Sequence, residues 1–200
     1  MVWVVADQTS DFNESLSSIK QCIGFSDVGF KVLDTMIYVK KSYPPAYPSM
    51  RRYAQTWEYM FVFSKGKPKT FNPIKINKEE SSIVENKSSS FRQRDGSMVV
   101  TRLKAGNLVK SDCNVWVYDV GKNKDTKDQD AYGHPARFPE ELARDHIYSW
   151  SNKNDTVMDP FMGSGTVAKQ AILLDRNYVG FEISEEYCNL ANSRLSRYET

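Results

Sequence analysis

The sequence is poor in the features that build membrane, metal-centred or disulfide-stapled proteins. No apolar run approaches the roughly 18 residues that a membrane span needs. The three cysteines, Cys22, Cys113 and Cys188, are scattered and odd in number. That argues against a disulfide framework and fits a reducing cytoplasm. The two histidines, His134 and His146, have no cysteine cluster near them, so no metal site is expected. The opening "MVWVVADQTSDF" lacks a basic region ahead of its apolar one, unlike a signal peptide. There is no internal repeat.

What is present suits one domain: 200 residues, 40% of them apolar, and a net charge of only +2. The charge is unevenly spread. Residues 40–128 hold 18 Lys and Arg against 9 Asp and Glu, a balance of +9, and the rest hold 9 against 16, a balance of −7. A basic middle between acidic flanks suggests contact with a polyanion. A solvated lysine-rich loop region explains the same numbers, and charge alone does not choose.

The chain alternates strands and helices. "VWVVA" (2–6) reads as a short apolar strand of the kind found inside a parallel sheet. Residues 11–30 read as a helix, capped by Asp11 or Asn13, with Leu16, Ile19 and Ile23 as its apolar face and Gly24 or Gly29 at its end. Strands follow at 31–41 and 57–67. The proline-rich "SYPPAYPSMRRYAQT" between them reads as an irregular loop. Residues 68–133 are polar, with one strand at 114–120, and read as an insertion. Order returns with a helix from about Pro139, a strand at 155–159, a helix at 165–176, a strand at 177–183 and a closing helix started by Ser184. Trp57, Trp116 and Trp150 read as core, and His134, ahead of a proline, as a turn residue. This alternation predicts βαβ units: a parallel sheet with helices on both faces.

One stretch carries chemistry: "DTVMDPFMGSGTVAKQAILLDRNYVGFEIS", residues 155–184. Val157 and Met158 are expected in the sheet. Asp159 ends the strand, where open α/β sheets bind ligands. Gly163 and Gly165 allow a tight turn and close approach of backbone to ligand. About twenty residues on, Glu182 ends a second strand, where an acid commonly accepts from both ribose hydroxyls. A phosphate-binding P-loop needs a lysine after its second glycine, and Thr166 and Val167 stand there instead. Asp159 would repel a pyrophosphate but suits a cationic amino group. A nicotinamide dehydrogenase fails on Asp159 and on the glycine spacing. An adenosine bearing a cationic amino acid is S-adenosylmethionine.

"DPFMGSGT" (159–166) resembles the cofactor motif of the amino-methylating DNA methyltransferases, which modify adenine N6 or cytosine N4. "HPARFPEEL" (134–142) is similar to the motif that precedes it in the circularly ordered members, whose catalytic half comes first. "DRNYVGFEISEEYCNLANSRL" resembles the second cofactor strand and its helix, and "EYMFVFSKGKP" and "VWVVADQT" resemble further segments. The resemblance implies a Rossmann-like α/β methyltransferase sheet over residues 1–200, partial at its N-terminus, with 68–133 as an inserted target-recognition region. It implies a site for S-adenosylmethionine formed by Asp159, Phe161, Gly163, Ser164, Gly165, Thr166, Phe181 and Glu182, with Pro135 and Phe138. Phe138 and Phe161 would wall the adenine and the methionine chain. Double-stranded DNA is the implied partner, met by basic residues including Lys40, Lys41, Arg51, Arg52, Arg92 and Arg94.

Members of this family act through a tetrad of the form Asp/Asn/Ser-Pro-Pro-Tyr/Phe, which holds the target amine and stacks on a flipped base. It is expected upstream of "VWVVADQT". "YPPAYP" (43–48) does not replace it: Tyr43 stands where an acid, amide or hydroxyl is needed, and Ala46 where the ring is needed. Asp7 lies at a strand end but has no Pro-Pro turn beside it. No catalytic residue is therefore assigned. The chain alone is expected to be inactive, and to need an N-terminal segment or a second methyltransferase subunit. The alternative is a non-catalytic module that keeps the fold and binds DNA or a partner.

Overall fold

The computed structural model describes residues 1–42, 51–77, 88–102, 109–121, 124, 126, 128 and 139–198. "YPPAYP" and the stretch with His134, Pro135 and Phe138 lie outside the described residues. The chain forms two compact units: Met1–Asn72 with Cys113–Thr200, and Pro73–Asp112.

In chain order the strands are β1 (Val2–Val5), β2 (Thr9–Ser10), β3 (Asn13–Glu14), β4 (Lys31–Lys40), β5 (Trp57–Ser64), β6 (Lys75–Asn77), β7 (Ser88–Arg92), β8 (Met98–Arg102), β9 (Val109–Ser111), β10 (Val115–Tyr118), β11 (Thr156–Asp159) and β12 (Asn177–Gly180). The helices are α1 (Ser17–Asp27), α2 (Glu140–Trp150), α3 (Thr166–Leu173) and α4 (Glu185–Leu195).

The larger unit holds a four-stranded sheet in the order β1-β5-β4-β10. It is mixed rather than all-parallel. β1 and β4 both run antiparallel to β5, and only β4 and β10 are parallel. β1 is an edge strand, so its apolar run does not mark the inside of a parallel sheet. An apolar run shows that both faces of a strand are covered, not which way its neighbours run. β5 makes the point: Met60, Phe61, Val62 and Phe63 are all buried. Their side chains alternate between faces. Met60 Sδ lies 3.1 Å from His146 of α2, while Phe63 packs against Phe25 of α1 at 5.3 Å. Helices thus cover both faces.

α1 starts later than the sequence suggests. Asp11 and Phe12 have positive φ and turn the β2–β3 hairpin, so neither Asp11 nor Asn13 caps the helix. The cap comes from Asp7, whose carboxylate accepts from the Ser18 N–H at 3.1 Å and the hydroxyls of Ser15, Ser17 and Ser18. Desolvation works to raise its pKa, but these bonds outweigh it and hold the carboxyl at about 2. The expected apolar face is also wrong: Leu16, Ile19 and Ile23 are exposed, and Ser18 and Phe25 turn inward. Gly29, at φ 97, follows the last turn and stops the helix, whereas Gly24 lies within it.

Of the tryptophans read as core, Trp116 is buried, Trp150 stacks on Phe71 at 4.9 Å, and Trp57 is exposed at the start of β5. The β11–β12 pair is parallel, with Asp159 opposite Gly180. α3 packs against both strands and against α2. Met158 is 64% exposed rather than buried. Among the described residues, β11 pairs only with β12.

The smaller unit consists of two antiparallel pairs, β6 with β9 and β7 with β8. Gly96, at φ 87, makes the turn of the second pair. Arg92 and Arg94 stand on this hairpin, with Phe91, Met98 and Val100 exposed alongside.

No helix among the described residues is long and apolar enough to cross a membrane, and no group of three metal-ligating side chains occurs among them.

Candidate functional site

β11 and β12 run side by side and end together, so the segments that follow them meet. Phe181 N–H donates to Asp159 O at 2.9 Å, and Met162 N–H donates to Phe181 O at 2.8 Å. This pairing brings Gly163 to the acid that ends the second strand: Gly163 N–H donates to Glu182 Oε2 at 2.8 Å. The other oxygen, Oε1, accepts from the N–H groups of Ile183 and Ser184, both at 2.9 Å. Gly163 and Gly165 have φ of 51 and 77, the left-handed region that glycine enters at least cost. Gly165 is the N-cap of α3, and no side chain caps that helix end.

Asp159 closes the first turn, its Oδ1 accepting from Phe161 N–H at 3.0 Å. Burial pushes the Asp159 carboxyl up; the Phe161 N–H acts against this, and the negative charge of Glu182 adds to it. A carboxylate held up by a neighbouring negative charge favours a cation beside the pair. Beside them stand two aromatic rings with little cover: Phe161 is 73% exposed and Phe181 55%. The Phe161 ring centroid lies 6.0 Å from that of Trp3 on β1, the ring pair it forms among the described residues.

Of the ten residues expected at the cofactor site, eight thus lie on this one loop pair. Ser164 and Thr166 are buried behind it rather than facing out. Pro135 and Phe138 lie outside the described residues.

Behind the loop is an ionic cluster that the sequence reading missed. Arg194, on the last turn of α4, is fully buried. Its Nη1 donates to Ser164 O at 2.9 Å and to Thr166 Oγ1 at 3.2 Å. Its Nε donates to Asp128 Oδ2 at 2.7 Å and its Nη2 to Glu140 Oε1 at 2.5 Å. Lys169 of α3 bonds the same two acids, at 2.9 and 2.8 Å. Two cations and two carboxylates close a ring. Desolvation would raise the Asp128 pKa, but bonds from Lys169, Arg194 and Tyr198 hold it at about 2. Only the burial of Arg194 had a signal in the sequence, three residues after Ala191 and one before Leu195 where the core face of α4 runs; its partners did not.

The comparisons with known proteins bear on the family and the fold. The sequence model of the N6/N4 methylases, described as DNA methylase, matches residues 1–193. The chain belongs to the N6/N4 DNA methylase family. It is 48% identical over 202 residues to the orphan methyltransferase M.BamHII of Bacillus amyloliquefaciens, covering 99% of this chain and 75% of that relative. The crystal structure of the M1.HpyAVI–SAM complex aligns with a TM-score of 0.60 and 25% identity, over 90% of this chain and 70% of the other. The PvuII DNA methyltransferase, titled cytosine-N4-specific, aligns with a TM-score of 0.68 over 96% of this chain and 62% of the other; at 19% identity it speaks for the fold alone. The fold is that of the S-adenosylmethionine-dependent DNA methyltransferases.

Proposed function

We propose that this methylase chain binds S-adenosylmethionine at the β11–β12 loop pair and carries it for methylation of an exocyclic amine of adenine or cytosine in DNA. One observation carries the reading: the Gly163 N–H and the Glu182 carboxylate meet at 2.8 Å, beneath two exposed aromatic rings. The residues fit the ligand. Glu182 offers acceptors for ribose hydroxyls, Phe161 and Phe181 offer apolar faces for adenine, and Asp159 with Glu182 favours a cationic methionine moiety. The cofactor, when bound, supplies the methyl group. The protein's part is to hold it: the glycine loop admits it, Glu182 takes its ribose and Asp159 its cationic methionine moiety. In this reading Pro135 and Phe138 complete the pocket.

The smaller unit, within residues 68–133, reads as the DNA-contacting part. The basic set expected to meet DNA, spread over residues 40–128, is narrower than its charge count. Lys40 pairs with Glu58, Lys41 with Asp119, and Arg52 with Glu14. Arg92 and Arg94, on an exposed hairpin, carry the proposal.

The sequence contains no Asp/Asn/Ser-Pro-Pro-Tyr/Phe tetrad. Asp7, its carboxylate committed to capping α1, does not stand in for one. The catalytic acceptor therefore comes from an upstream segment or a second subunit. Edge strands β1 and β11, linked by the Trp3–Phe161 contact, offer unpaired backbone for it among the described residues. The missing tetrad also favours a second reading, a non-catalytic DNA- or partner-binding module. Titration with S-adenosylmethionine tests the first reading: a module without cofactor binding would give no saturable signal.

A further inference from the structure

We propose that Arg194 is a positioning residue for the cofactor loop, and that the Arg194–Asp128–Lys169–Glu140 ring couples that loop to the first turn of α2. The inference rests on the cofactor reading of the β11–β12 site and adds a residue that never faces the ligand.

The geometry is specific. α4 pins the loop at both of its own ends. At its start, Glu182 accepts from Gly163 N–H just ahead of the helix; at its finish, Arg194 donates to Ser164 O and Thr166 Oγ1. Between these ends, α4 lies against the loop directly: a Cβ on Gly165 would come within 3.3 Å of Ala191 Cβ and 3.5 Å of Leu195 Cδ1. The Ser164 carbonyl is held inward by a charged donor, which fixes the Ser164–Gly165 peptide plane.

The same guanidinium reaches Asp128 and Glu140, and Lys169 bridges both acids. Thr126 Oγ1 also bonds Glu140 Oε1 at 2.5 Å. Glu140 is the first residue of α2, two positions beyond Phe138. The ring therefore links the glycine loop to the first turn of α2. Burying two ion pairs adds little stability, because desolvation offsets most of the attraction. A ring that contributes little energy but fixes four segments acts on geometry.

The test uses the whole chain and three variants: Arg194→Lys, Glu140→Gln and the double substitution. Lysine keeps the buried charge but cannot reach Ser164 O, Asp128 and Glu140 at once. S-adenosylhomocysteine affinity is measured by calorimetry, and amide hydrogen exchange is followed at Gly163–Thr166 and in β5. Arg194→Lys is expected to weaken binding about tenfold and speed exchange in the loop, with β5 unchanged. The double variant is expected to be no weaker than the weaker single one, because both break one ring. Normal affinity in folded Arg194→Lys overturns the positioning role and leaves the cofactor site standing. Lost affinity with exchange rising equally in β5 also overturns it, since the effect is then on the whole fold. Absence of binding in the unmodified chain overturns both the site and the inference.

Discussion

The backbone N–H of Gly163 donates to the carboxylate of Glu182 at 2.8 Å, joining two residues nineteen positions apart. The bond exists because β11 and β12 are parallel and in register, Asp159 beside Gly180. It makes the glycine loop and the acid one site. Its consequences are measurable.

Gly165 and Gly66 separate strain from crowding. Both have positive φ, 77 and 94, but a Cβ on Gly66 meets open space, while one on Gly165 meets Ala191 and Leu195. Gly66→Ala is expected to cost about 1 kcal/mol for the left-handed backbone alone. Gly165→Ala is expected to cost more, about 2–3 kcal/mol, because tight packing adds to the strain. Urea unfolding of both variants checks the order, and equal losses would show that α4 does not press on the loop.

His146 makes the fold acid-sensitive. It is 7% exposed, its Nδ1 has no partner among the described residues, and it packs 4.7 Å from the Trp116 ring. Burial lowers its pKa from 6.5 to about 3. The unfolded chain therefore takes up this proton more readily than the folded one. Stability is complete above pH 6.5 and falls as the pH drops toward 3, with a slope approaching about 1.4 kcal/mol per pH unit. Asp7 and Asp128, held at about 2, add their loss only below about pH 4. His146→Leu is expected to flatten the curve between pH 6.5 and 4.5. An unchanged slope there would place the acid sensitivity elsewhere.

How much of this was legible in sequence differs by segment. The loop pair was: the order strand, two glycines, helix, strand, acid is plain in the sequence, and parallel pairing of the two strands brings Gly163 to Glu182. The sheet's direction was not: the buried run Met60–Phe63 reads the same in parallel and antiparallel surroundings. The face of α1 was misread because Leu16, Ile19 and Ile23 have helical spacing, yet tertiary packing selected Ser18 and Phe25. Asp7 capping α1 from eleven residues away could not be read from local cap rules. The Arg194 ring joins residues 66 positions apart, beyond any local pattern.

The proposed DNA contact through the smaller unit predicts a salt signature. Replacing Arg92 and Arg94 by alanine is expected to weaken duplex binding and to lower the slope of log affinity against log salt by about 2, one for each lost phosphate contact. Lys41→Ala is expected to change it little, since Asp119 already neutralises that charge. Equal slopes in the unmodified chain and the double-alanine variant would remove the hairpin from the interface.

In the proposed reading, methyl transfer needs an Asp/Asn/Ser-Pro-Pro-Tyr/Phe tetrad, which these 200 residues do not contain. Tritiated-methyl incorporation into mixed duplex DNA is expected to stay at background with the chain alone. It should rise when an upstream segment bearing Asp-Pro-Pro-Tyr is added. Turnover by the chain alone, abolished by Asp7→Ala or by changes at Pro44 and Pro45, would show a catalytic motif where none is assigned.

The central claim is that Glu182 and the glycine loop hold S-adenosylmethionine. Calorimetric titration of the folded chain with S-adenosylmethionine tests it most directly. The account expects saturable one-to-one binding, weakened in Glu182→Ala by about 1.5–3 kcal/mol, tenfold or more, as ribose acceptors are lost. Saturable binding with unchanged affinity in that variant, or no binding by either protein, would contradict it.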